Sequence, residues 1–361
     1  MVNRLTLNLT IIHVLYITGF IVSGLSDVRD IKLVHEITIA ENDSEDYYFG
    51  NIRDAAITNN GSVLLLDSSE KTVLVYSQKG DLITVLGEEG RGPGELLMPM
   101  SLASNPNGDI LVADLGNAKI SIWNNEFQLI REIRTPSPAG WYAHYRSFQT
   151  DGRNVFYWTL QPNPATGIDR VNIYKIDRES RETNLFYTIN DADAEDRFEF
   201  ITGWGSWDIT STGKIVVTGK TPDYSIYKFG IERDLMGSFG NPVSPITRTE
   251  EEIEQRIEAA NRVSGQAVSL TAMANTEKPI FHNIQVDGEN FVWAHRSKIY
   301  GAEENIDIYT LDGDFLTTVE LPSGLDEYRL MDINENKALF KVMNENGEQS
   351  LKVYRIEYIY N

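Results

Sequence analysis

The chain has 361 residues, with 32 Lys and Arg against 53 Asp and Glu, so its formal net charge is −21. Such an acidic chain excludes nucleic acid as an expected partner, because binding phosphates requires a basic face. It also contains no cysteine, which excludes disulfides, thiolate catalysis and thiolate metal sites.

The first 26 residues differ in composition from the rest. Arg4 is followed by an apolar stretch from Ile11 to Val22 and then by the small residues Ser23 and Gly24. This order is typical of a secretory signal peptide, so residues 1–26 predict export to the periplasm or the extracellular space. The alternative is an uncleaved anchor over residues 5–22, which would place the protein at a membrane. Residues 27–361 are predicted to form a single domain.

Five copies of a short signal follow in chain order. Each copy is a polar-Gly turn between two β-rich runs, with an aromatic residue about 15 to 20 residues later. The turns are Asn60-Gly61, Asn107-Gly108, Asp151-Gly152, Thr212-Gly213 and Asp287-Gly288, and the aromatics are Tyr76, Trp123, Tyr174, Tyr227 and Tyr309. The repetition predicts an array of small antiparallel sheets.

Each copy contains four short β-rich runs, which is the pattern of a propeller blade. A sixth, degenerate copy begins at Leu330 and stops one strand short near the C-terminus. Residues 31–39 alternate apolar and polar side chains and precede the first full copy, so they are expected to supply the missing outer strand. We therefore predict an all-β, six-bladed β-propeller of four-stranded antiparallel blades, closed by its N-terminal strand.

Two insertions interrupt the repeat. Within the third copy, residues 190–197 are rich in carboxylates, which favours a solvated acidic loop over a calcium site. The second insertion spans about residues 241–279, between blades four and five. Thr249 and Glu252 form a capping box, and Ile253, Ile257 and Ala260 share one apolar stripe. They predict a short amphipathic helix that braces the rim, the alternative being a lid or a partner-docking element.

Two stretches carry a family resemblance. Residues 90–96 read Gly-Arg-Gly-Pro-Gly-Glu-Leu, and residues 110–120 form a strand that ends in Asp114 and continues as Gly116-Asn117-Ala118-Lys119-Ile120. Together they resemble one NHL-type propeller repeat, and the chain is similar to exported bacterial six-bladed propellers of uncharacterised function. The resemblance implies the fold but no single function, because NHL-like proteins include RNA binders, docking domains, sensors and a metal-dependent lyase.

The loops between blades are expected to open at one mouth of the central channel, where propellers usually hold ligands. Counting back from the turn glycines places an aromatic and cationic set at this mouth. The set comprises Arg53, His144, Arg146, Trp207, His282 and Arg329. Such a surface suits a carboxylate, a sugar or the end of an extended peptide.

Catalysis has weaker support in the sequence. The lyase that the NHL-like group contains binds zinc through three histidines, and here only His144 and His282 are plausible at the channel. No nucleophile elbow, phosphate loop or dinucleotide motif is present. The sequence therefore predicts a non-enzymatic propeller without a cofactor that binds a protein, peptide or glycan at the channel mouth. The alternatives are a lyase or hydrolase that uses zinc or calcium in the channel, and a membrane-anchored sensor ectodomain.

Overall fold

The computed structural model describes residues 28–40, 49–135, 148–161, 170–189, 207–210, 212–213, 215–220, 225–230, 234–241, 246–264, 281–288, 291–296, 305–322, 327–334, 336–344 and 346–360. These residues form six four-stranded antiparallel sheets, each of which is one blade. The predicted six-bladed propeller is thus confirmed. The predicted signal peptide lies outside the described residues.

The first three blades follow one another along the chain. Blade 1 contains β2 (Ile52–Ile57), β3 (Val63–Asp67), β4 (Thr72–Tyr76) and β5 (Leu82–Leu86). Blade 2 contains β6 (Pro99–Ser104), β7 (Ile110–Asp114), β8 (Lys119–Trp123) and β9 (Leu129–Arg134). Blade 3 contains β10 (Phe148–Thr150), β11 (Asn154–Gln161), β12 (Arg170–Asp177) and β13 (Thr183–Ile189).

The last three blades complete the ring. Blade 4 contains β14 (Trp207–Ile209), β15 (Ile215–Lys220), β16 (Ser225–Gly230) and β17 (Leu235–Phe239). Blade 5 contains β18 (Phe281–Asp287), β19 (Phe291–Arg296), β20 (Asn305–Thr310) and β21 (Phe315–Glu320). Blade 6 contains β22 (Glu327–Asn334), β23 (Lys337–Met343) and β24 (Gln349–Tyr360), with β1 (Val28–Ala40) as its outer strand.

The N-terminal strand closes the ring as predicted. β1 pairs antiparallel with β24 along its length, from Val28 opposite Tyr360 to Ala40 opposite Ser350. The innermost strand of each blade lies beside the innermost strand of the next, and β2 of blade 1 lies beside β22 of blade 6. These six inner strands surround the central channel.

The repeated turn and aromatic signals have clear structural roles. The turn glycines adopt positive φ, from 57° at Gly288 to 87° at Gly152, which glycine accepts without a steric penalty. The aromatics lie on the third strands, where Tyr76, Trp123 and Tyr309 are each at most 4% exposed. They belong to apolar clusters between neighbouring blades, so the core is distributed around the ring.

The predicted helix, α1 (Glu250–Ser264), follows blade 4. Its capping box is formed, because the Thr249 amide donates to Glu252 Oε2 at 2.9 Å and the Glu252 amide donates to Thr249 Oγ1 at 3.2 Å. Ile253 and Ile257 are half-buried, as the apolar stripe requires. Among the described residues, no helix is both long enough and apolar enough to cross a membrane.

Candidate functional site

The predicted mouth residues that the structure describes lie at the beginning of inner strands. Arg53 is the second residue of β2, Trp207 the first of β14, His282 the second of β18 and Arg329 the third of β22. Each of these strands runs in the same direction from an inter-blade loop, so these positions lie at one end of the channel. His144 and Arg146 lie outside the described residues.

A β-bulge marks two of these positions. Arg53 lies at a register shift between Ile52 and Asp54, and His282 lies at the corresponding shift between Phe281 and Asn283. A bulge leaves one residue without a pairing partner and redirects its strand. Blades 1 and 5 therefore both have a β-bulge at the predicted mouth residue.

Arg53 and Arg329 come together with a third cation, Lys341, which sequence reasoning did not identify. We call Arg53, Arg329 and Lys341 the cation cluster. Arg329 pairs directly with Lys341 across β22 and β23. Lys341 Nζ donates to the carbonyl of Ile52, at 2.6 Å, in the neighbouring blade. The cluster thus joins the two blades that close the ring.

The environment of Lys341 disfavours its charged form. Burial, followed by the positive charges of Arg329 and Arg53, lowers the pKa of Lys341 to about 8. Lys341 is paired with Arg329, and its Nζ reaches the carbonyl of the residue before Arg53, so the three cations are close together. An anion placed among them would relieve their mutual repulsion.

Trp207 is at the predicted end of the channel but not in the cation cluster. It belongs to blade 4, which is opposite blade 1 in a ring of six. Its side chain is 3% exposed, and its buried Nε1 has no hydrogen-bond partner among the described residues. The mouth is therefore cationic at blades 1 and 6, and an indole is buried across the ring.

The inner strands also carry three acidic side chains that sequence reasoning missed. We call Asp54, Asp208 and Asp332 the junction aspartates. In each, Oδ1 accepts the amide of the next residue, at 2.8 to 3.0 Å. Their Oδ2 atoms accept amides of neighbouring blades, from Leu102, Val286 and Ile57 respectively, at 2.8 to 2.9 Å.

The junction aspartates therefore hold neighbouring inner strands together. One signal could have identified them, since Asp54 and Asp208 directly follow a predicted mouth residue and all three aspartates precede an apolar residue in an inner strand. Asp54 and Asp332 also line a small cavity along the channel, with Ser104, Gln149 and Met331. Because the aspartate oxygens already accept backbone amides, this stretch of the channel is primarily a structural junction.

The NHL-like loop is also held by structural contacts. Asp114 accepts the amides of Leu97 and Met98, at 3.0 and 2.8 Å, and Lys119 donates to the carbonyl of Gly92 at 2.8 Å. Partial burial raises the pKa of Glu132, but hydrogen bonds from Lys119, the Gly94 amide and Ser121 outweigh this effect and lower it. These contacts hold the loop between blades 1 and 2 against blade 2.

The described residues contain no group of three or more His, Asp or Glu side chains that could hold a metal ion. His144 lies outside them, and His282 is described only through its place in β18. The weak zinc expectation for these two residues therefore stays a prediction.

One signal could have revealed Lys341 in advance. It follows Ala338, Leu339 and Phe340, which are fully buried, and it precedes the buried Val342. A lysine in such an apolar run is unusual because burying its charge is costly. The turn-based count could not find it, since that count samples only the inner strands.

Comparison with known proteins agrees with this architecture. A protein from Bacteroides vulgatus, a member of the DUF4221 family, has a TM-score of 0.61 at 13% identity, covering 92% of this chain and 99% of that chain. A Bacteroides fragilis protein, provisionally named as exported, has a TM-score of 0.56 at 14% identity, covering 93% and 98%. At these identities the similarity shows the fold alone. No curated protein sequence matches the chain.

A family model gives the relationship more directly. The model of DUF5128, described as a 6-bladed beta-propeller, matches residues 40–294. This match covers more than half of the chain and includes the four complete blades between β2 and β17. The chain belongs to the DUF5128 family of six-bladed β-propellers.

Proposed function

We propose that this protein is an exported, non-enzymatic propeller that binds a ligand or a protein partner at the channel mouth where the inner strands begin. One observation carries the proposal. In a chain of net charge −21, Arg329 pairs with Lys341 in blade 6, and Lys341 Nζ donates to the carbonyl of Ile52, the residue before Arg53 in blade 1. A positive site within an acidic protein would select a ligand by its charge.

Export is part of the proposal. It is supported by the signal-like residues 1–26 and by the similarity to a Bacteroides fragilis protein provisionally named as exported. Sequencing the N-terminus of the mature protein would test it. A terminus close to residue 27 is expected, whereas retention of residues 5–22 would favour the anchored form.

Binding can be tested with a defined panel of amino acids, dipeptides, mono- and disaccharides and small organic acids. Thermal shift of the purified protein would identify members that bind, and isothermal titration calorimetry would measure their affinity. We expect at least one member to bind, and Arg329→Ala to weaken it at least tenfold. Lys79→Ala is the matched control, because Lys79 is an exposed cation in the β4–β5 turn.

Two results would overturn the proposal. One is the absence of binding across the whole panel, or binding that Arg329→Ala and Lys79→Ala leave equally strong. The other is turnover of a peptide, lactone or glycan that His282→Ala abolishes, which would establish an enzyme. Zinc or calcium that remains in stoichiometric amount after dialysis would point to the same enzymatic alternative.

A further inference from the structure

The cation cluster contains an arrangement that a purely structural sheet would avoid. Arg329 and Lys341 are directly opposite each other in the antiparallel pair of β22 and β23. Like charges in directly opposite positions destabilise a sheet. Counted from the bulge in each inner strand, the corresponding pairs are Asn51 with Ser68 in blade 1 and Met98 with Leu115 in blade 2, which carry no such repulsion. Exceptions to local rules of this kind concentrate at functional sites.

A third charge comes from the next blade. Arg53 is on the bulge of β2, and its charge acts on Lys341 together with that of Arg329. All three side chains are half-buried, so they are in part accessible to solvent. Lys341 uses one donor on the carbonyl of Ile52, and its ammonium group has two more.

Two neighbouring strands, β24 and β2, contribute the other groups described around Lys341. On β24, the residue opposite is Leu351, and the neighbouring Gln349 accepts the amide of Ile52 through Oε1 at 2.9 Å. On β2, the carboxylate of Asp54 accepts Ser101 Oγ at 2.8 Å and the amides of Ala55 and Leu102. Arg329 and Arg53 both act on Lys341 with positive charge.

We infer that Arg53, Arg329 and Lys341 form a clamp for a carboxylate group of the ligand, assembled across the junction of blades 6 and 1. Guanidinium groups match a carboxylate through paired hydrogen bonds, and an ammonium group adds a point charge. The clamp specifies carboxylates as the ligand class of the proposed mouth site, and this inference rests on the proposed function.

Carboxylate binding at this clamp is coupled to a proton. The pKa of Lys341 is about 8 in the free protein, and a bound anion favours the charged form and raises it. Above pH 8 the free lysine is mostly neutral, so binding has to take up a proton. Affinity therefore falls as pH rises, by about tenfold between pH 7 and pH 9 when the bound form stays protonated.

The test uses succinate as the probe and succinamide as its uncharged analogue. Isothermal titration calorimetry at pH 7 and pH 9 measures the affinity, and buffers of different ionisation enthalpy give the number of protons taken up. We expect the affinity for succinate to be about tenfold lower at pH 9 than at pH 7. We expect succinamide to bind at least tenfold more weakly than succinate at pH 7. Sulfate in the same assay distinguishes a carboxylate site from a general anion site.

Lys341→Arg is the decisive variant, because arginine keeps the charge but does not lose its proton. It should bind succinate at pH 7 within about threefold of the wild type and lose the decrease at pH 9. Lys337→Arg is the control, since Lys337 is on the same strand and faces Glu36 at 2.9 Å. Arg329→Lys keeps the charge without the paired donors and should weaken binding at both pH values.

The titration midpoint of Lys341 is a further readout, because a purely structural role would leave it unchanged when succinate is added. Nuclear magnetic resonance of the lysine side chains should show one ammonium group titrating near pH 8, and saturating succinate should raise that midpoint. An unchanged midpoint, equal binding of succinate and succinamide, sulfate binding as strong as that of succinate, or the wild-type pH profile in Lys341→Arg would overturn the clamp. If neutral sugars or peptides bind through Arg329 and succinate does not, the proposed function stands and the clamp fails.

Discussion

At the scale of single residues, a hydrogen bond between Tyr358 and the buried Asp287 stabilises the fold outside the mouth. Tyr358 on β24 donates to Asp287 Oδ2 at the end of β18, so the hydrogen bond joins blades 6 and 5. Burial, followed by the charge of Asp287, raises the pKa of Tyr358 well above its usual value. The phenol therefore keeps its proton at pH values where an exposed tyrosine would ionise.

Replacing Tyr358 by Phe should destabilise the fold, because Asp287 is fully buried and would lose one donor to its carboxylate. We expect a loss of about 1–3 kcal/mol in the free energy of unfolding, measured by urea titration. The control is Tyr360→Phe on the same strand, where the side chain is 55% exposed and a change within about 0.5 kcal/mol is expected. An equal effect of the two substitutions would contradict the role of the pair.

At the scale of elements, the inner strands meet through the junction aspartates rather than through a continuous sheet. Within the ranges that the structure describes, each blade pairs its own four strands, and no sheet crosses from one blade to the next. Among the described residues, Asp54, Asp208 and Asp332 supply backbone hydrogen bonds across three of the six junctions. Asp332 is the most consequential, because its junction joins the last blade to the first.

Asp332→Asn tests this device directly. The asparagine side chain is nearly isosteric, but one carboxylate oxygen is replaced by an NH2 group, which cannot accept a hydrogen bond. Either the Ile57 amide or the Ile333 amide therefore loses its acceptor. We expect a loss of about 1–3 kcal/mol in the free energy of unfolding. Asp314→Asn, at an exposed position in the turn before β21, should stay within about 0.5 kcal/mol. Equal stability of the two variants would show that the junction does not depend on this carboxylate.

The elements also show which features the sequence could predict. The turn glycines and buried aromatics recur because the blades need the same tight hairpin and the same packing against their neighbours, so one local pattern predicted five blades. The sixth blade followed from a degenerate copy and the N-terminal strand. The mouth differs, because Lys341 reaches it from a second strand, through pairing with Arg329 and contact with Ile52 of another blade. Such proximity depends on ring closure, and no spacing along the chain encodes it.

At the scale of the whole molecule, the ring depends on the pairing of its two chain ends. β1 covers β24 along its length and removes what would otherwise be an exposed edge of 12 residues. The salt bridge of Lys337 with Glu36 adds a contact across blade 6. Both ends of the chain therefore belong to the same cooperative unit.

Removing residues 1–40 should expose the edge of β24 and cause self-association. We expect a lower melting temperature by differential scanning calorimetry and species larger than the monomer by light scattering. A synthetic peptide of residues 28–40 should restore a monomer, because it can pair with β24 as β1 does. A scrambled peptide of the same composition should not. A deletion variant that remains monomeric at wild-type stability would contradict the closure argument.

The pairing of β1 with β24 also sets an order of events during biosynthesis. β1 leaves the ribosome before the strands of blades 1 to 5, and its partner β24 leaves after them, so blade 6 cannot be completed until β24 has been synthesised. Pairing between such distant segments is slow, because most of the chain must first be brought into register. A chain that ends before β24 cannot complete blade 6, so the ring closes only once β24 has been made.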